Sequence, residues 1–379
     1  MEPIHISKKM KILQFICSTG FYGAERWVLA LSKHLPADTI SELVVTLEPG
    51  TEDLELVKQF KPIGTTHALP MKNRFDLAVV TKLAALIKER DIDVIHTHGY
   101  KSDILGVLAA RKAGIPCVVT PHGFENAADF KLRTFIWLGC QAMKYATKVV
   151  PLSRQLMADV KKFNIADSKL VYIQNGVDLS EVEAVRLTKH ERKQDNIKTI
   201  GFVGQMISRK NIRAILDCFD TLYKTRQDIR LVLLGDGDSR ASLEDYTQQL
   251  SSKNAIEYLG FRNDRLTLLR DFDLFVMTST LEGIPRCLME ACAMEIPVSA
   301  YDIAGIDQLI THKESGLLAP LHDSKQLVLD WQTMLDQPDY AQELAANARQ
   351  FVQEHFSAQR MADEYYELFG QVVKEAANA

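Results

Sequence analysis

Apolar residues fall in short blocks along this chain, and the spacing within the blocks alternates between two kinds. Residues 11–17, Lys-Ile-Leu-Gln-Phe-Ile-Cys, and residues 43–47 are apolar at nearly every position, which predicts strands buried on both faces. Residues 26–35, 77–87 and 102–113 instead predict helices. Strands are predicted again at 93–98, 114–120 and 148–153. After a polar run at 187–198 the alternation restarts, with strands at 199–204, 229–234, 256–261, 273–277 and from 298, and helices at 212–225 and 286–294. Two amphipathic helices close the chain, the last at 360–374. Strands alternating with helices predict parallel sheets covered on both sides. Because the pattern runs twice over 379 residues, too many for one ordinary core, it predicts two domains.

Composition narrows the classes. Hydrophobic residues make up 46% and charged residues 25%, as in an ordinary globular protein, and a net charge of -4 removes any global attraction to nucleic acid. Six scattered cysteines with no C-x-x-C pair fit neither a zinc site nor a disulfide framework, which points to a reducing cytoplasm. Residues 8–17 imitate a signal peptide, but the apolar run is short and breaks into Gly20 and Gly23, so it reads as a first strand. No apolar run approaches the roughly 20 residues that span a bilayer. Membrane contact would be peripheral. Residues 130–145, with Lys131, Arg133, Trp137 and Lys144 among apolar neighbours, could form a helix lying on an anionic membrane surface. A core helix with snorkelling cations fits the same pattern.

The candidate chemistry gathers where strands end. Gly20 to Glu25 is a glycine loop opening a helix, the order that cradles phosphate, although a tight ligand-free connection has the same form. His98 and His122 stand at strand tips. His96 and His98 as metal ligands would need further partners and a carboxylate, and none is apparent. Arg209 and Lys210 lie between a strand and a helix, where cations could clamp a diphosphate. In residues 278–297 a strand leads through Glu282-Gly283 to Pro285, which suits a helix start, and the unpaired amides of that first turn form a seat for phosphate. Glu290 sits more than a turn further on, where a carboxylate could accept from vicinal hydroxyls. A lone glutamate on a helix is usually a solvated face. Gly235-x-Gly237 could begin a dinucleotide fingerprint, but Arg240 holds its third place. Asp236-x-Asp238 has the form of a metal-binding D-x-D, as do Asp91-x-Asp93 and Asp271-x-Asp273, so that motif carries no information.

Glu282, seven residues, Glu290 and then Pro297-Val298 resembles the E-x7-E signature of retaining family-4 glycosyltransferases of the GT-B fold. Gly23-Ala24-Glu25-Arg26, Thr120-Pro121-His122-Gly123 and Asn175-Gly176-Val177-Asp178 resemble further segments of that family. The resemblance implies two Rossmann-like doubly wound domains facing a cleft. Residues 1–190 would bind acceptor, residues 191–355 nucleotide sugar, and a helix within 356–379 would cross back to the first domain. It implies Glu290 on the ribose, Glu282 beside the transferred sugar, His122 facing donor sugar and acceptor, and Lys210 with Arg209 on the departing diphosphate. Gln205 stands where the family has an arginine. Gly20, Gly23, Gly204, Gly235, Phe261, Gly283, Ile284, Pro285 and Arg286 would line the donor, and Asp307 replaces a usual glutamate. The implied reaction moves a hexose, with retention and no metal, from a nucleotide diphosphate sugar, UDP-sugar favoured, to a glycan or lipid-linked acceptor. That places the protein in the cytoplasm, at the inner face of the plasma membrane, in polysaccharide or lipopolysaccharide synthesis. A GT-B phosphorylase, a sugar-nucleotide hydrolase or a catalytically quiet glycan- or nucleotide-binding assembly subunit are the competing classes.

Overall fold

The computed structural model describes residues 9–18, 20–49, 54–73, 76–123, 130–189 and 196–378. The chain divides into two compact units, one of Met1–Gly176 with Ala358–Ala379, the other of Val177–Ser357.

The first unit runs β1 (Met10–Ile16), α1 (Gly23–His34), β2 (Thr39–Leu47), α2 (Glu55–Phe60), β3 (Thr66–Pro70), α3 (Ala78–Glu89), β4 (Val94–His98), α4 (Tyr100–Ala113), β5 (Cys117–Thr120), α5 (Phe130–Met143), β6 (Lys148–Val149) and α6 (Arg154–Lys161). Its sheet is parallel throughout, in the order β3-β2-β1-β4-β5-β6. Side chains of a strand alternate between faces. Ile12, Ile16, Val94 and Val118 therefore share one core with Trp27, Val28 and Leu31 of α1, whereas Leu13, Phe15, Ile95 and Val119 share the other with Val79, Leu83 and Leu105 of α3 and α4.

The second unit runs α7 (Leu179–Arg186), β7 (Lys198–Val203), α8 (Ile212–Tyr223), β8 (Ile229–Leu234), α9 (Arg240–Thr247), β9 (Ile256–Gly260), α10 (Arg265–Leu269), β10 (Leu274–Met277), α11 (Arg286–Ala293), β11 (Val298–Asp302), β12 (Leu317–Pro320), α12 (Ser324–Asp336) and α13 (Pro338–His355). Its sheet order, β12-β11-β10-β7-β8-β9, is the same winding as the first: one strand and its two successors to one side, the next three to the other. Neighbouring strands at the reversal send their following loops apart, and ligands of such sheets bind there. In these units the reversals are β1/β4 and β7/β10.

The last element, α14 (Ala358–Ala377), packs in the first unit against α1, burying Met361, Tyr365, Phe369 and Val372 in the core that holds Trp27. Arg360 Nη2 donates to Gln174 O (2.6 Å), which fixes its start.

Three boundaries differ from the sequence reading. The units part at Gly176/Val177 rather than near 190, because Val177 and Val182 are buried in the second core and the Val177 N–H donates to Phe356 O (2.8 Å). Apolar burial outweighs the polar run, which is a connection within the second unit; residues 190–195 of it lie outside the described residues. The end of the chain holds three helices rather than two, since the apolar spacing of α12 and α13 reads continuously across Gln337 while Pro338 opens a new helix. Finally, α2, β3, α6, α7, α9, α10 and β12, all short, went unpredicted.

Candidate active site

The second unit's reversal is stitched together by backbone. After β7 the chain passes Gly204 to a single helical turn, Ser208–Lys210, and then Asn211 in a left-handed conformation (φ 49°) turns it into α8. The Thr280 N–H donates to Arg209 O (2.9 Å) and Thr278 Oγ1 to Asn211 O (2.9 Å), so the loop after β10 is laid along the loop after β7. Gly305 (φ 95°) lets the loop after β11 join them: a Cβ there would lie 1.6 Å from Gly283 O.

That arrangement brings Glu282, Lys210 and Arg209 together. Lys210 Nζ donates to Glu282 Oε1 (2.5 Å) and Arg209 Nη1 to Oε2 (3.1 Å). Glu282 and Lys210 are 6% and 7% exposed, so the pair is almost dry. Burial pushes the Glu282 carboxyl upward, but the charges of Lys210 and Arg209 outweigh it and hold the group below the usual carboxylate range. Gln205 is half-buried between Gly204 and Met206.

Pro285 is the N-cap of α11 (φ -73°, ψ 123°) rather than its first helical residue, and no side chain caps that end. Glu290, 2% exposed, is already engaged. Arg265 of α10 grips both its oxygens (Nη2–Oε1 2.7 Å, Nε–Oε2 3.2 Å) and Arg286 Nε donates to Oε1 (2.9 Å). Arg265 also reaches Glu181 of α7 (3.3 Å). The carboxylate foreseen on a ribose thus belongs to a cluster of two arginines and two glutamates. Gly235 (φ 131°) ends β8 against Gly204, where a Cβ would meet Gly204 O at 1.8 Å. Phe261, beyond β9, is 45% exposed, Ile284 is buried, and Asp307 Oδ1 accepts from the Gly305 N–H (2.9 Å).

The strand face at the first unit's reversal is polar without charge. Gln14, His96, His98 and Thr120 form a row on the face of β1, β4 and β5 that is otherwise apolar, with Gln14 paired in register to His96 and His98 to Thr120. Two chains of hydrogen bonds cross it. His98 Nε2 lies 2.9 Å from Gln14 Oε1 and His98 Nδ1 lies 3.2 Å from His122 Nε2. His96 Nε2 lies 2.7 Å from Thr120 Oγ1, which lies 2.8 Å from the Tyr365 hydroxyl. The Trp27 ring stands 5.2–5.7 Å from the rings of His96, His98, His122 and Tyr365. Burial lowers all three histidines, His96 and His98 well below the ordinary value and His122 to about 4, so the rings are neutral at pH 7. Among the described residues no cluster of His, Cys, Asp or Glu has the arrangement of a metal site.

The loop from Gly20 to Glu25 is closed by its own glutamate. Glu25 Oε2 accepts from the Tyr22 N–H (2.9 Å) and Oε1 from Ser18 Oγ (2.8 Å), a capping box that sets a carboxylate at the N-terminus of α1. Gly20 approaches the Tyr22 ring, whereas a Cβ on Gly23 would meet no atom within 4 Å.

Gln14, Trp27, Tyr365, Arg265 and Glu181 belong to the two candidate clusters and are the members that the sequence reading missed. Gln14 left a signal, an uncharged polar residue inside a run meant to be buried. The others carried none, since their partners lie 25 to 245 residues away.

Residues 21–181 match the family described as Glycosyltransferase Family 4, and residues 186–351 match Glycosyl transferases group 1. The UDP-Gal:alpha-D-GlcNAc-diphosphoundecaprenol alpha-1,3-galactosyltransferase of Escherichia coli is 31% identical over 263 residues, 65% of this chain and 67% of that protein. The N,N'-diacetylbacillosaminyl-diphospho-undecaprenol alpha-1,3-N-acetylgalactosaminyltransferase of Campylobacter jejuni is 23% identical over 84% of this chain and 86% of its own. Among solved structures, Anabaena HepE in complex with UDP-glucose superposes with a TM-score of 0.81 over 96% of this chain and 100% of that one, at 20% identity. That likeness speaks for the fold, which is GT-B. With both family models matched in chain order and a relative above 30% identity, the chain belongs to the family-4, group 1 glycosyltransferases.

Proposed function

We propose that the protein transfers a hexose from a UDP-sugar to a lipid-linked glycan acceptor, with retention, during assembly of a cell-surface polysaccharide or lipopolysaccharide. The observation that carries this reading is the nearly dry Lys210–Glu282 pair, joined by the more exposed Arg209, beside the uncapped end of α11 at the reversal of the second sheet. As the sugar's C1 parts from the β-phosphate oxygen, negative charge grows on the diphosphate. Lys210, Arg209 and the first-turn amides of α11 are preset donors for it, which is electrostatic stabilisation needing no metal. The acceptor oxygen bonds to C1 on the face that the diphosphate leaves, and its proton passes to the departing phosphate oxygen, so no enzymic nucleophile is required. We assign Glu290 to the ribose, His122 to the sugar hydroxyls, the second unit to donor and the first to acceptor. Relatives named for diphosphoundecaprenol acceptors and a neighbour solved with UDP-glucose support the choice of substrates.

Among the described residues no helix is long and apolar enough to cross a membrane. Trp137, Leu138 and Tyr145 are 56%, 44% and 62% exposed along and just beyond α5, and we assign them to peripheral contact with an anionic bilayer. The side chains of Lys131 and Arg133 lie outside the described residues.

The test measures products and nucleotide affinity together. UDP-sugars should yield a glycosylated lipid-linked acceptor in the presence of chelator. Free sugar or sugar phosphate as the main product overturns the reading in favour of a hydrolase or phosphorylase, and metal-dependent turnover overturns its metal-free form. By calorimetry Glu290→Gln should weaken UDP binding by about tenfold, the weight of one charge-assisted hydrogen bond. Glu282→Gln should lose turnover while binding UDP at least as tightly as wild type, because it releases two cations. Trp137→Ser should reduce sedimentation with anionic vesicles, and a wild type that does not sediment rejects the membrane assignment.

A further inference from the structure

Gln14 is fully buried at the centre of β1, and its amide is half satisfied. Oε1 lies 2.9 Å from His98 Nε2, while among the described residues Gln14 Nε2 has no hydrogen-bond partner. A buried donor left unmade costs stability that an apolar side chain of the same size would not cost, so packing alone does not account for the residue.

Its position in the hydrogen-bond chain does. Burial keeps His98 and His122 neutral, so each ring carries one N–H and one lone pair. With Gln14 Oε1 turned to His98, the His98 proton must sit on Nε2 to donate to it. His98 Nδ1 is then a lone pair and accepts from His122 Nε2–H. That leaves Nδ1 of His122, the ring nitrogen outside the chain, as an acceptor. Were the amide reversed, every hydrogen would move to the other nitrogen and His122 Nδ1 would become a donor. One amide orientation therefore decides what His122 offers.

We infer that Gln14, acting through His98, is a positioning residue that holds His122 in its Nε2–H tautomer, so that Nδ1 accepts from a hydroxyl of the transferred sugar. This rests on the reading of His122 as the sugar-facing histidine. The arrangement resembles in logic a buried side chain that fixes a catalytic imidazole, here with a neutral amide in place of a carboxylate and a second histidine between.

The experiment labels the histidines of the full chain with nitrogen-15 and reads the tautomers from long-range proton–nitrogen spectra at pH 7.5, without donor. Wild-type His122 should carry its proton on Nε2. In Gln14→Leu, His98 has no acceptor to choose by, so His122 should become a mixture. Turnover with UDP-sugar should then fall roughly tenfold, the effect of one hydrogen bond lost in the transition state, with donor KM nearly unchanged. Gln14→Glu, whose buried carboxyl finds no cation and stays neutral, keeps a carbonyl acceptor for His98 Nε2–H and should retain both the tautomer and most of the turnover. Wild-type His122 protonated at Nδ1, or a Gln14→Leu protein with the tautomer intact, overturns the inference. So does equal loss of turnover in both variants, which would mark Gln14 as structural. Because the spectra need no sugar, an enzyme that transfers none refutes the proposed function and leaves the tautomer result to be judged separately.

Discussion

Two sheets of the same winding end in opposite chemistry. At the β7/β10 reversal the chain sets two cations on a nearly dry carboxylate, and at the β1/β4 reversal it sets a row of neutral polar groups under an indole. Burial is similar at both, so burial does not explain the contrast. What differs is whether each titratable group finds an opposite charge. Glu282 finds two and stays ionised; the three histidines find only one another, Gln14 and Thr120, and lose their protons. Topology supplies the place, and the pairing of charges decides whether that place can stabilise developing charge or only orient a neutral hydroxyl.

The largest test of the contrast is to remove one partner from each end. Lys210→Met leaves a buried carboxylate with Arg209 alone and should cost about 3–5 kcal/mol of stability in urea unfolding, with turnover down by roughly a hundredfold or more. Thr120→Val, which deletes the hydroxyl between His96 and Tyr365 at nearly constant shape, should cost about 1–2 kcal/mol. Equal losses would show that the two ends do not differ in kind.

Acid should separate them next. Above pH 6.5 the three histidines are neutral folded and unfolded. Below it the unfolded chain takes protons that the folded one refuses, so stability falls as pH drops toward about 4. Asp103, raised to about 8 by burial despite its bond from Thr97, acts the other way, since the folded chain then holds a proton that the unfolded chain releases. Three protons refused against one retained leave a net uptake by the unfolded chain, so stability still falls between pH 6 and 5. The Glu282 contribution is present above 4.5 and is lost only below it. Hydrogen exchange at pH 5.5 should therefore show β1, β4 and β5 losing protection relative to pH 7.5 while β7 and β10 keep theirs. Loss first in β7 and β10 would contradict the assignment of charges.

The smallest effect is expected at Gly23. An added Cβ meets nothing within 4 Å and the residue is not left-handed, so Gly23→Ala should change stability by less than about 0.5 kcal/mol. If donor or acceptor packs against the open space, KM should rise severalfold all the same. Unchanged kinetics would remove Gly23 from the site.

The neutral and ionic ends were not equally legible in the sequence. Glu282 and the cations at 209–210 lie in two short loops and Glu290 on the helix that follows one of them, so the E-x7-E resemblance is carried by one local stretch. The histidine chain depends on register across three strands, which no spacing states, so His122 stood out while Gln14 showed only as a polar residue in a buried run, with no partner indicated. Arg265 was missed for the same reason: it meets Glu290 only once α10 and α11 pack. Buried parallel strands were plain because they are apolar on both parities. The edge strand β3 is half-exposed and mixed in composition, which hides it.

The placement of α14 bears on how the protein is made. A ribosome delivers Val177–Ser357 as one uninterrupted stretch before it delivers the helix that completes the first unit's core. At usual elongation rates that interval is roughly ten to thirty-five seconds. Throughout it, Trp27, Val28 and Leu31 lack the cover that Tyr365 and Phe369 later provide, and the nascent chain shows chaperones an apolar seat. A chain that stops before Ala358 leaves that seat open.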